Sequence, residues 1–136
     1  MTRFLDTSVF IRYLTRDDEA KAQASFALFR RLEGNEETAL TSDAVIAEVV
    51  FVLQSPRLYR MARDRVRALL EPMVWLRGLR LPNKGLYKQT FDLYCGTSMS
   101  FVDAFSAAYM ESQGISEVYS YDTDFDKVTW ITRVEP

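Results

Sequence analysis

The sequence predicts an α/β domain built on a small, mainly parallel β-sheet of four to five strands flanked by helices. Short apolar segments alternate along the chain with longer segments of helical periodicity, which is the pattern of consecutive β–α units. The connections between these segments are short. No linker rich in Pro, Gly or Ser and no internal repeat interrupts the 136 residues. We therefore expect one domain over residues 1–136.

In the first half of the chain, residues 2–5 form a predicted strand, and Thr7 or Ser8 is expected to cap a short helix. Asp17 or Asp18 begins a longer helix that ends near Gly34. Its predicted buried face consists of Ala20, Ala24, Ala27, Leu28 and Leu32. Residues 39–40 form a second strand. A very apolar helix then runs from Thr41 or Ser42 to residue 54.

The second half of the chain continues the alternation. Residues 60–70 form a predicted helix and residues 74–76 a strand. Pro82 or Asn83 begins a helix that ends at Gly96, and Ser100 begins another that ends at Gly114. Residues 117–120 and 129–134 are the last predicted strands.

The composition limits the chemistry available to the chain. It contains no histidine and one cysteine, Cys95. Histidine general bases, histidine-activated nucleophiles, His-containing zinc sites, Cys-rich metal sites and an internal disulfide are therefore excluded. Any reaction must depend on carboxylates, hydroxyls, Lys, Arg or a bound ion.

Neither a signal peptide nor a membrane-spanning segment is predicted. No apolar core follows Met1, and the longest apolar stretch, residues 44–53, is interrupted by Glu48. That stretch is far shorter than the roughly 20 residues that span a bilayer. With a single thiol, these features predict a cytoplasmic protein.

Two acidic residues in the first half occupy positions where a carboxylate is costly. Asp6 ends the first predicted strand, and the carboxyl ends of parallel strands line functional crevices; a helix cap is the alternative interpretation. Glu48 shares its helix face with apolar residues and has no basic partner within the helix. A buried carboxylate there would need a cation, a proton or hydrogen bonds. The alternative is a glutamate at the rim that reaches solvent.

Further acids stand at comparable positions in the second half. Asp103 follows Ser100 at the spacing of a capping box, among small side chains. Asp122 and Asp124 follow the strand predicted over residues 117–120, although an Asp-rich turn that caps a helix is the alternative and is accepted for Asp126. Acids at strand ends and helix starts with no basic partner nearby predict one acidic pocket.

Such a pocket predicts a metal-dependent hydrolase. Carboxylates a few Å apart cannot all stay ionised without a cation. Oxygen ligands without His or Cys favour Mg²⁺ or Mn²⁺. A bound ion of this kind activates water, so that phosphodiester hydrolysis is the natural inference.

Four motifs in order resemble the PIN-domain ribonucleases, in particular the toxins of VapBC-type toxin–antitoxin pairs. They are Phe4-Leu5-Asp6-Thr7-Ser8-Val9-Phe10-Ile11, the segment 41–48 that ends in Ile46-Ala47-Glu48, Ser100-Phe101-Val102-Asp103-Ala104, and Ser120-Tyr121-Asp122-Thr123-Asp124-Phe125. The resemblance implies a single PIN-like nuclease domain with a small parallel sheet. It also implies an RNA substrate, a homodimer, and inhibition by a cognate antitoxin whose C-terminal segment fills the site.

The resemblance also assigns residues. It implies that Asp6, Glu48, Asp103 and Asp122 bind Mg²⁺ or Mn²⁺, and that Asp124 is a fifth catalytic acid. Ser120 stands where the family commonly has Thr, a hydroxyl that can bond a carboxylate or a water. Thr7 and Ser8 are candidates for the same supporting role beside Asp6.

The basic residues are candidates for RNA contacts. The net charge is −2, but setting aside the five proposed site acids leaves 14 acidic against 17 basic residues. Arg12 and Arg16 lie near the first motif, and three further arginines are predicted on one face of the helix over residues 60–70, where a solvated face is the alternative. These three are Arg60, Arg63 and Arg67.

Tyrosines could stack on unpaired bases or belong to the core. The candidates are Tyr13, Tyr59, Tyr87 and Tyr94. Tyr59 and Phe51 could instead line a groove for a partner helix.

The leading hypothesis is a Mg²⁺-dependent endoribonuclease that acts as a toxin. The alternatives are a PIN-domain nuclease of RNA processing, a Mg²⁺-binding receiver-like domain and an inactive RNA-binding module. A receiver needs an acceptor Asp that ends a central strand and a late Lys at a strand end, and Lys127 is poorly placed for this. A haloacid-dehalogenase phosphatase is disfavoured because Asp6-Thr7-Ser8 lacks the second Asp of that motif.

Overall fold

A computed structural model describes all 136 residues of the chain. The residues group into two compact units, Met1–Lys84 and Gly85–Pro136, which are described one at a time. The single domain over residues 1–136 stays a prediction.

The first unit contains three strands and four helices. In chain order these are β1 (Arg3–Phe4), α1 (Thr7–Thr15), α2 (Glu19–Glu33), β2 (Ala39–Leu40), α3 (Asp43–Gln54), α4 (Arg63–Val74) and β3 (Leu79–Arg80). Helix α1 packs against α2 and α3, and α3 packs against α4. Two of the predicted caps are present, since the side chains of Asp18 and Ser42 accept hydrogen bonds from the first turns of α2 and α3.

The three strands form a parallel sheet in the order β1-β2-β3. The carbonyls of Gly78 and Arg80, on either side of Leu79, point towards β2, where they accept hydrogen bonds from the backbone N–H groups of Ala39 and Thr41. The carbonyl of Leu79 therefore points to the open edge of the sheet. There it accepts a hydrogen bond of 2.6 Å from Nζ of Lys84, which also donates to the Leu76 carbonyl at 3.3 Å. Burial lowers the pKa of Lys84.

Of the buried face that the sequence predicts for helix α2, only Leu32 is confirmed as buried. Of the predicted set, Ala20, Ala24 and Ala27 are exposed and Leu28 is half-buried. The buried residues are Ala22, Ser25, Phe29 and Leu32. The rings of Phe10 and Tyr13 on α1 lie 5.4 and 5.2 Å from the ring of Phe29. The large area of this ring sets the orientation of the helix, and the small alanines do not.

The segment after α3 also differs from the prediction. The predicted strand over residues 74–76 is wrong, because α4 continues through Pro72 to Val74 and the strand lies later, at Leu79–Arg80. Val66, Leu70, Met73 and Val74 are buried at helical spacing, and their burial outweighs the hydrogen bond that Pro72 cannot make.

The second unit contains two helices and two strands. A short 3₁₀ helix (Lys84–Leu86) precedes α5 (Tyr87–Gly96), so the helix predicted from residue 82 or 83 begins later. Helix α6 (Phe101–Ser112), β4 (Glu117–Tyr119), a second 3₁₀ helix (Thr123–Lys127) and β5 (Thr132–Val134) follow. Strands β4 and β5 pair in parallel.

Two groups of apolar side chains stabilise the second unit. Helices α5 and α6 pack through an aromatic cluster in which the rings of Phe91 and Phe101 are 5.4 Å apart. A second group packs beneath the segment that follows β4 and consists of Met99, Ala107, Phe125, Val128 and Ile131. Phe125, Val128 and Ile131 fix the backbone that follows Asp124, and Val118 of β4 packs against the same core from the other side of the two acids in sequence.

The α/β class with parallel strands flanked by helices is confirmed. The structure has five strands, the upper end of the predicted range of four to five. They form one three-stranded and one two-stranded sheet instead of a single sheet. No helix is both long and apolar enough to span a membrane.

Candidate active site

Three carboxylates of the second unit form an acidic cluster. Each of Asp103, Asp122 and Asp124 places a carboxylate oxygen within 4.8 Å of the other two. Asp103 lies in the first turn of α6, and the two other acids lie where β4 gives way to the 3₁₀ helix. These are three of the acids that the sequence predicts to lie together.

Serine hydroxyls and a backbone amide fix the cluster. Ser100 Oγ accepts a hydrogen bond of 3.1 Å from the N–H of Asp103, as the predicted capping box requires. Ser120 Oγ accepts one of 2.9 Å from the N–H of Asp122. Asp122 Oδ1 in turn accepts one of 2.9 Å from the N–H of Asp124. The hydroxyl of Ser120 therefore supports the turn by a hydrogen bond to the backbone of Asp122, and not by a bond to a carboxylate.

The charges of the cluster are not fully compensated by the protein. Burial raises the pKa of Asp103, and the neighbouring carboxylate of Asp122 raises this pKa further, while a hydrogen bond from Ser100 opposes the shift. Nζ of Lys127 lies 2.6 Å from Oδ1 of Asp124 and also contacts the hydroxyl of Ser98. The expectation that no basic partner lies nearby is therefore wrong for Asp124.

The donor set of the cluster fits a hard divalent cation. All three side chains offer oxygen, the ligand that Mg²⁺ and Mn²⁺ prefer, and no nitrogen or sulfur ligand accompanies them in the cluster. Three carboxylates at this spacing repel one another, and one ammonium group offsets only part of that repulsion. A divalent cation would offset the remainder.

In the first unit, Asp6 and Glu48 line one open cleft of about 300 Å³. Asp6 occupies the N-cap position of α1, but its side chain makes no capping hydrogen bond. Its backbone is fixed from the preceding residue. The N–H of Leu5 donates to the Leu40 carbonyl at 2.8 Å, and Thr41 Oγ1 donates to the Leu5 carbonyl at 2.9 Å. The carboxylate of Asp6 thus lies at the carboxyl end of β1 and does not cap α1.

The burial predicted for Glu48 is wrong, because this side chain is exposed. Its neighbours on the same helix face, Ala44 and Phe51, are exposed as well, and Phe51 is 71% exposed. Helix α3 buries the opposite stripe, which consists of Val45, Ile46, Val49, Val50 and Leu53. The alternative of a glutamate that reaches solvent is the one observed, and the exposed carboxylate lines the Asp6 cleft.

Two further side chains, Asp17 and Tyr59, line this cleft. The sequence predicts no site role for Asp17, and it names Tyr59 as a candidate for base stacking or a partner groove without placing it near the motif acids. The sequence predicts Asp17 only as a helix start, whereas its carboxylate accepts hydrogen bonds from both Arg12 and Tyr59. Tyr59 is 42 residues away in sequence, so no local pattern connects the two. Of the predicted supporting hydroxyls, both Thr7 and Ser8 line the cleft; Thr7 is buried and Ser8 is exposed.

Comparison with known proteins identifies the family. The family model of the PIN domain matches residues 3–131, which is nearly the whole chain. The chain belongs to the PIN domain family. A search of curated proteins finds no significant relative. Among solved structures, the VapC20 toxin of Mycobacterium tuberculosis, described as cleaving the sarcin–ricin loop, matches with 22% identity and a TM-score of 0.39. The match covers 99% of this chain and 100% of that chain, and at this TM-score no site residue is transferred from it.

The arginines of this PIN domain are distributed differently from the prediction. Arg60, Arg63 and Arg67 do not share a helix face, because α4 begins only at Arg63 and Arg60 lies before it with a φ of 49°. The side chain of Arg67 pairs with Glu71 at 2.9 Å. Arg16 ends α1 in the left-handed region, with a φ of 55°. Among the five predicted arginines, Arg12 is the one that lines the cleft with Asp6 and Glu48.

The tyrosines of the PIN domain separate by burial. Tyr87 and Tyr94 are fully buried and belong to the aromatic core. Tyr13 packs on the rings of Phe26 and Phe29 and lines a separate apolar cleft of about 410 Å³. Tyr59 is 36% exposed and lines the cleft of Asp6 and Glu48.

Proposed function

We propose that this PIN domain is an endoribonuclease that hydrolyses RNA phosphodiester bonds with bound Mg²⁺ or Mn²⁺. The observation that carries the proposal is the cluster of Asp103, Asp122 and Asp124, whose oxygens lie within 4.8 Å of one another with one lysine to offset them. Carboxylates grouped in this way in a PIN domain are a suitable ligand set for a divalent cation. The absence of histidine is consistent with carboxylate chemistry.

Asp103 and Asp122 are the proposed metal ligands of the cluster, and Asp124 is the third catalytic acid. Asp6 and Glu48 are proposed as metal-binding acids because they occupy the motif positions of the resemblance and leave their carboxylates exposed in one cleft. When bound, Mg²⁺ would supply positive charge that activates water and offsets the charge of the transition state.

The residues of the chain have separate tasks in this proposal. Ser100 and Ser120 orient the acids through backbone hydrogen bonds, so that the carboxylates are held in place before a ligand arrives. Asp122 fixes Asp124 through the amide of that residue. Lys127 holds one oxygen of Asp124. Arg12 is proposed to contact the RNA. Arg16, Arg60, Arg63 and Arg67 are weaker candidates because they do not line the cleft of Asp6 and Glu48.

The substitutions Asp103→Asn and Asp6→Asn test the activity. Each is expected to lower RNA cleavage by the full chain by about 100-fold or more, because a carboxamide is a poor ligand for a hard cation. A chelator is expected to abolish cleavage by the wild type, and circular dichroism should show that the variants fold. The matched control is Asp126→Asn, which removes an exposed acid of the same segment that pairs with Arg133. Cleavage without metal, or full activity in both variants, would contradict the proposal.

A toxin role is proposed on the resemblance to VapBC-type toxins. It comprises a cognate antitoxin and a homodimer, in a cytoplasmic protein. Growth arrest on expression, relieved by the product of an adjacent antitoxin-like reading frame, is the expected result. Cleavage without growth arrest would favour a PIN-domain nuclease of RNA processing instead. RNA binding without cleavage would favour an inactive RNA-binding module.

A further inference from the structure

Three side chains from separate segments meet in the cleft of Asp6 and Glu48. Asp17 lies in the connection between α1 and α2, and it accepts a hydrogen bond of 2.9 Å from a terminal nitrogen of Arg12 on Oδ1. Its other oxygen, Oδ2, accepts one of 2.7 Å from the hydroxyl of Tyr59, in the turn that follows α3. One carboxylate thus connects a helix and a turn that are distant in sequence.

This arrangement is electrostatically favourable to the charged form of Asp17. The hydrogen bond from Tyr59, and then the hydrogen bond and charge of Arg12, lower the pKa of Asp17. Asp17 is therefore ionised at neutral pH. Hydrogen bonds to an ionised acceptor are shorter and stronger than neutral ones, so both donors are held in a defined direction.

Arg12 and Tyr59 carry complementary chemistry for a nucleotide. The guanidinium has five N–H donors in a planar fork, and a single bond to Asp17 leaves others for a phosphate oxygen. Tyr59 is 36% exposed as a residue while its hydroxyl is held by Asp17, and an exposed tyrosine in a cleft offers an aromatic surface on which an unpaired base can stack. Both line the cleft that holds two of the motif acids.

We propose that Asp17 is a positioning residue, which holds Arg12 against a phosphate and Tyr59 against a base of single-stranded RNA. The inference rests on the proposed function and deepens it, since it names the residues that orient the substrate. Asp17 acts through its two partners and need not contact the RNA. Its carboxylate joins Arg12 and Tyr59 through two hydrogen bonds, and in this way it determines where a nucleotide lies relative to Asp6 and Glu48.

The sign of one substitution distinguishes this role from a general charge effect. Removing an acidic residue near a polyanion normally strengthens its binding, because a repulsive charge is lost. Asp17→Asn is expected to weaken RNA binding instead. Asparagine keeps one acceptor oxygen but replaces the other with an NH₂ donor and removes the charge, so that it cannot hold both Arg12 and Tyr59. Asp18→Asn is the matched control. Asp18 caps α2 and its side chain contacts Lys21, outside the cleft, and asparagine is an equally good cap.

The experiment measures binding of a fluorescein-labelled single-stranded RNA oligonucleotide to the full chain by anisotropy, in chelator and in the Asp103→Asn background. Asp17→Asn is expected to weaken binding about fivefold, near 1 kcal/mol. Tyr59→Phe, which keeps the ring and removes the hydroxyl, should lose about twofold to threefold. Arg12→Gln should weaken binding and make the salt dependence shallower, reducing the magnitude of the slope of log K against log salt by about one. Asp17→Asn should also reduce the magnitude of that slope.

Coupling between the residues provides a second readout. If Asp17 acts through Arg12 and Tyr59, adding Asp17→Asn to Arg12→Gln should weaken binding only by the roughly twofold to threefold that the Tyr59 contact contributes, and not by the full fivefold or so of Asp17→Asn alone. In the nuclease, Asp17→Asn should raise KM with a smaller change in kcat. All variants should retain the thermal midpoint of the parent to within a few degrees.

Binding by Asp17→Asn that is equal to or tighter than that of Asp18→Asn would overturn the inference, and so would additive losses in the double variant. A wild type that cleaves RNA while Asp17→Asn behaves like the control removes the positioning role alone. A wild type that binds RNA with the expected variant pattern but never cleaves removes the nuclease proposal alone. No RNA binding by the wild type removes both.

Discussion

At the scale of single residues, Lys127 has the clearest effect on the acidic cluster. Its ammonium lies 2.6 Å from Oδ1 of Asp124, and 42% of the lysine side chain is exposed to solvent. The same ammonium both stabilises the carboxylates without metal and competes with a cation for Asp124. Its removal should therefore change metal binding in a direction opposite to the loss of a ligand.

Lys127→Met is expected to tighten Mg²⁺ binding about threefold to tenfold, because the loss of one positive charge near the carboxylates changes the interaction by about 1 kcal/mol in a solvated site. Isothermal titration calorimetry on the full chain measures this affinity directly. Lys88→Met, which removes an exposed lysine paired with Asp92 in the same unit, should leave the affinity unchanged. Weaker binding by the Lys127 variant would contradict the competition.

The sequence predicts the convergence of three acids, while their roles and those of Asp6 and Glu48 stay predictions. Asp103, Asp122 and Asp124 were identified from their places at strand and helix ends, and these places determine where side chains converge. The sequence predicts Glu48 on a buried apolar face, but α3 is apolar on both of its faces and composition alone does not say which one is buried. Asp17 and Tyr59 could not be connected because a tertiary contact brings them together.

At the scale of elements, the position of β3 depends on one glycine. Gly78 precedes the strand, and its N–H donates to the Leu32 carbonyl while its own carbonyl accepts from Ala39. A Cβ atom at this position would lie 2.2 Å from the carbonyl oxygen of Glu37 and 2.8 Å from that of Leu32. Both are backbone atoms, so no side chain can move aside.

Gly78→Ala is therefore expected to destabilise the chain by about 2–3 kcal/mol, the cost of overpacking against a fixed backbone. Urea unfolding followed by circular dichroism measures the difference. Gly85→Ala is the matched control, since a Cβ there would meet nothing within 4 Å. A loss as small as that of the control would show that the backbone at the start of β3 can shift.

The observed boundaries of the helices agree with the predicted ones where a capping side chain marks the helix start. They differ where the prediction rests on residue propensity alone. Asp18, Ser42 and Ser100 mark the starts of three helices, because each side chain accepts a hydrogen bond from the first turn. Residues 74–76 have strand propensity, but the burial of Val74 as the last residue of α4 decides the local structure. The orientation of α2 depends on Phe29 for the same reason, since tertiary packing overrides the local pattern.

At the scale of the whole molecule, charge and metal are linked to stability. The chain has 19 acidic and 17 basic residues, and its carboxylates include a cluster that is repulsive without a cation. A ligand that binds only the folded chain stabilises it in proportion to the logarithm of its concentration.

Mg²⁺ at about 100 times its Kd is accordingly expected to stabilise the wild type by about 2.7 kcal/mol. Asp103→Asn should lose most of this gain while its metal-free form is at least as stable as the wild type, since one repulsive charge is removed. Differential scanning fluorimetry with Mg²⁺ or chelator gives both comparisons. An equal Mg²⁺ shift in the two proteins would place the responsive site elsewhere.

Lys84 at the edge of β3 has a consequence for self-association. An open strand edge with unpaired carbonyls can template the addition of a strand from another molecule, which is a route to aggregation. Here the outward carbonyl of Leu79 is already bonded to Nζ of Lys84, and the strand is only two residues long. An incoming strand would have to displace a partly desolvated ammonium group to form one hydrogen bond. The same lysine that holds the end of the sheet therefore protects the folded chain against intermolecular β-pairing at this edge.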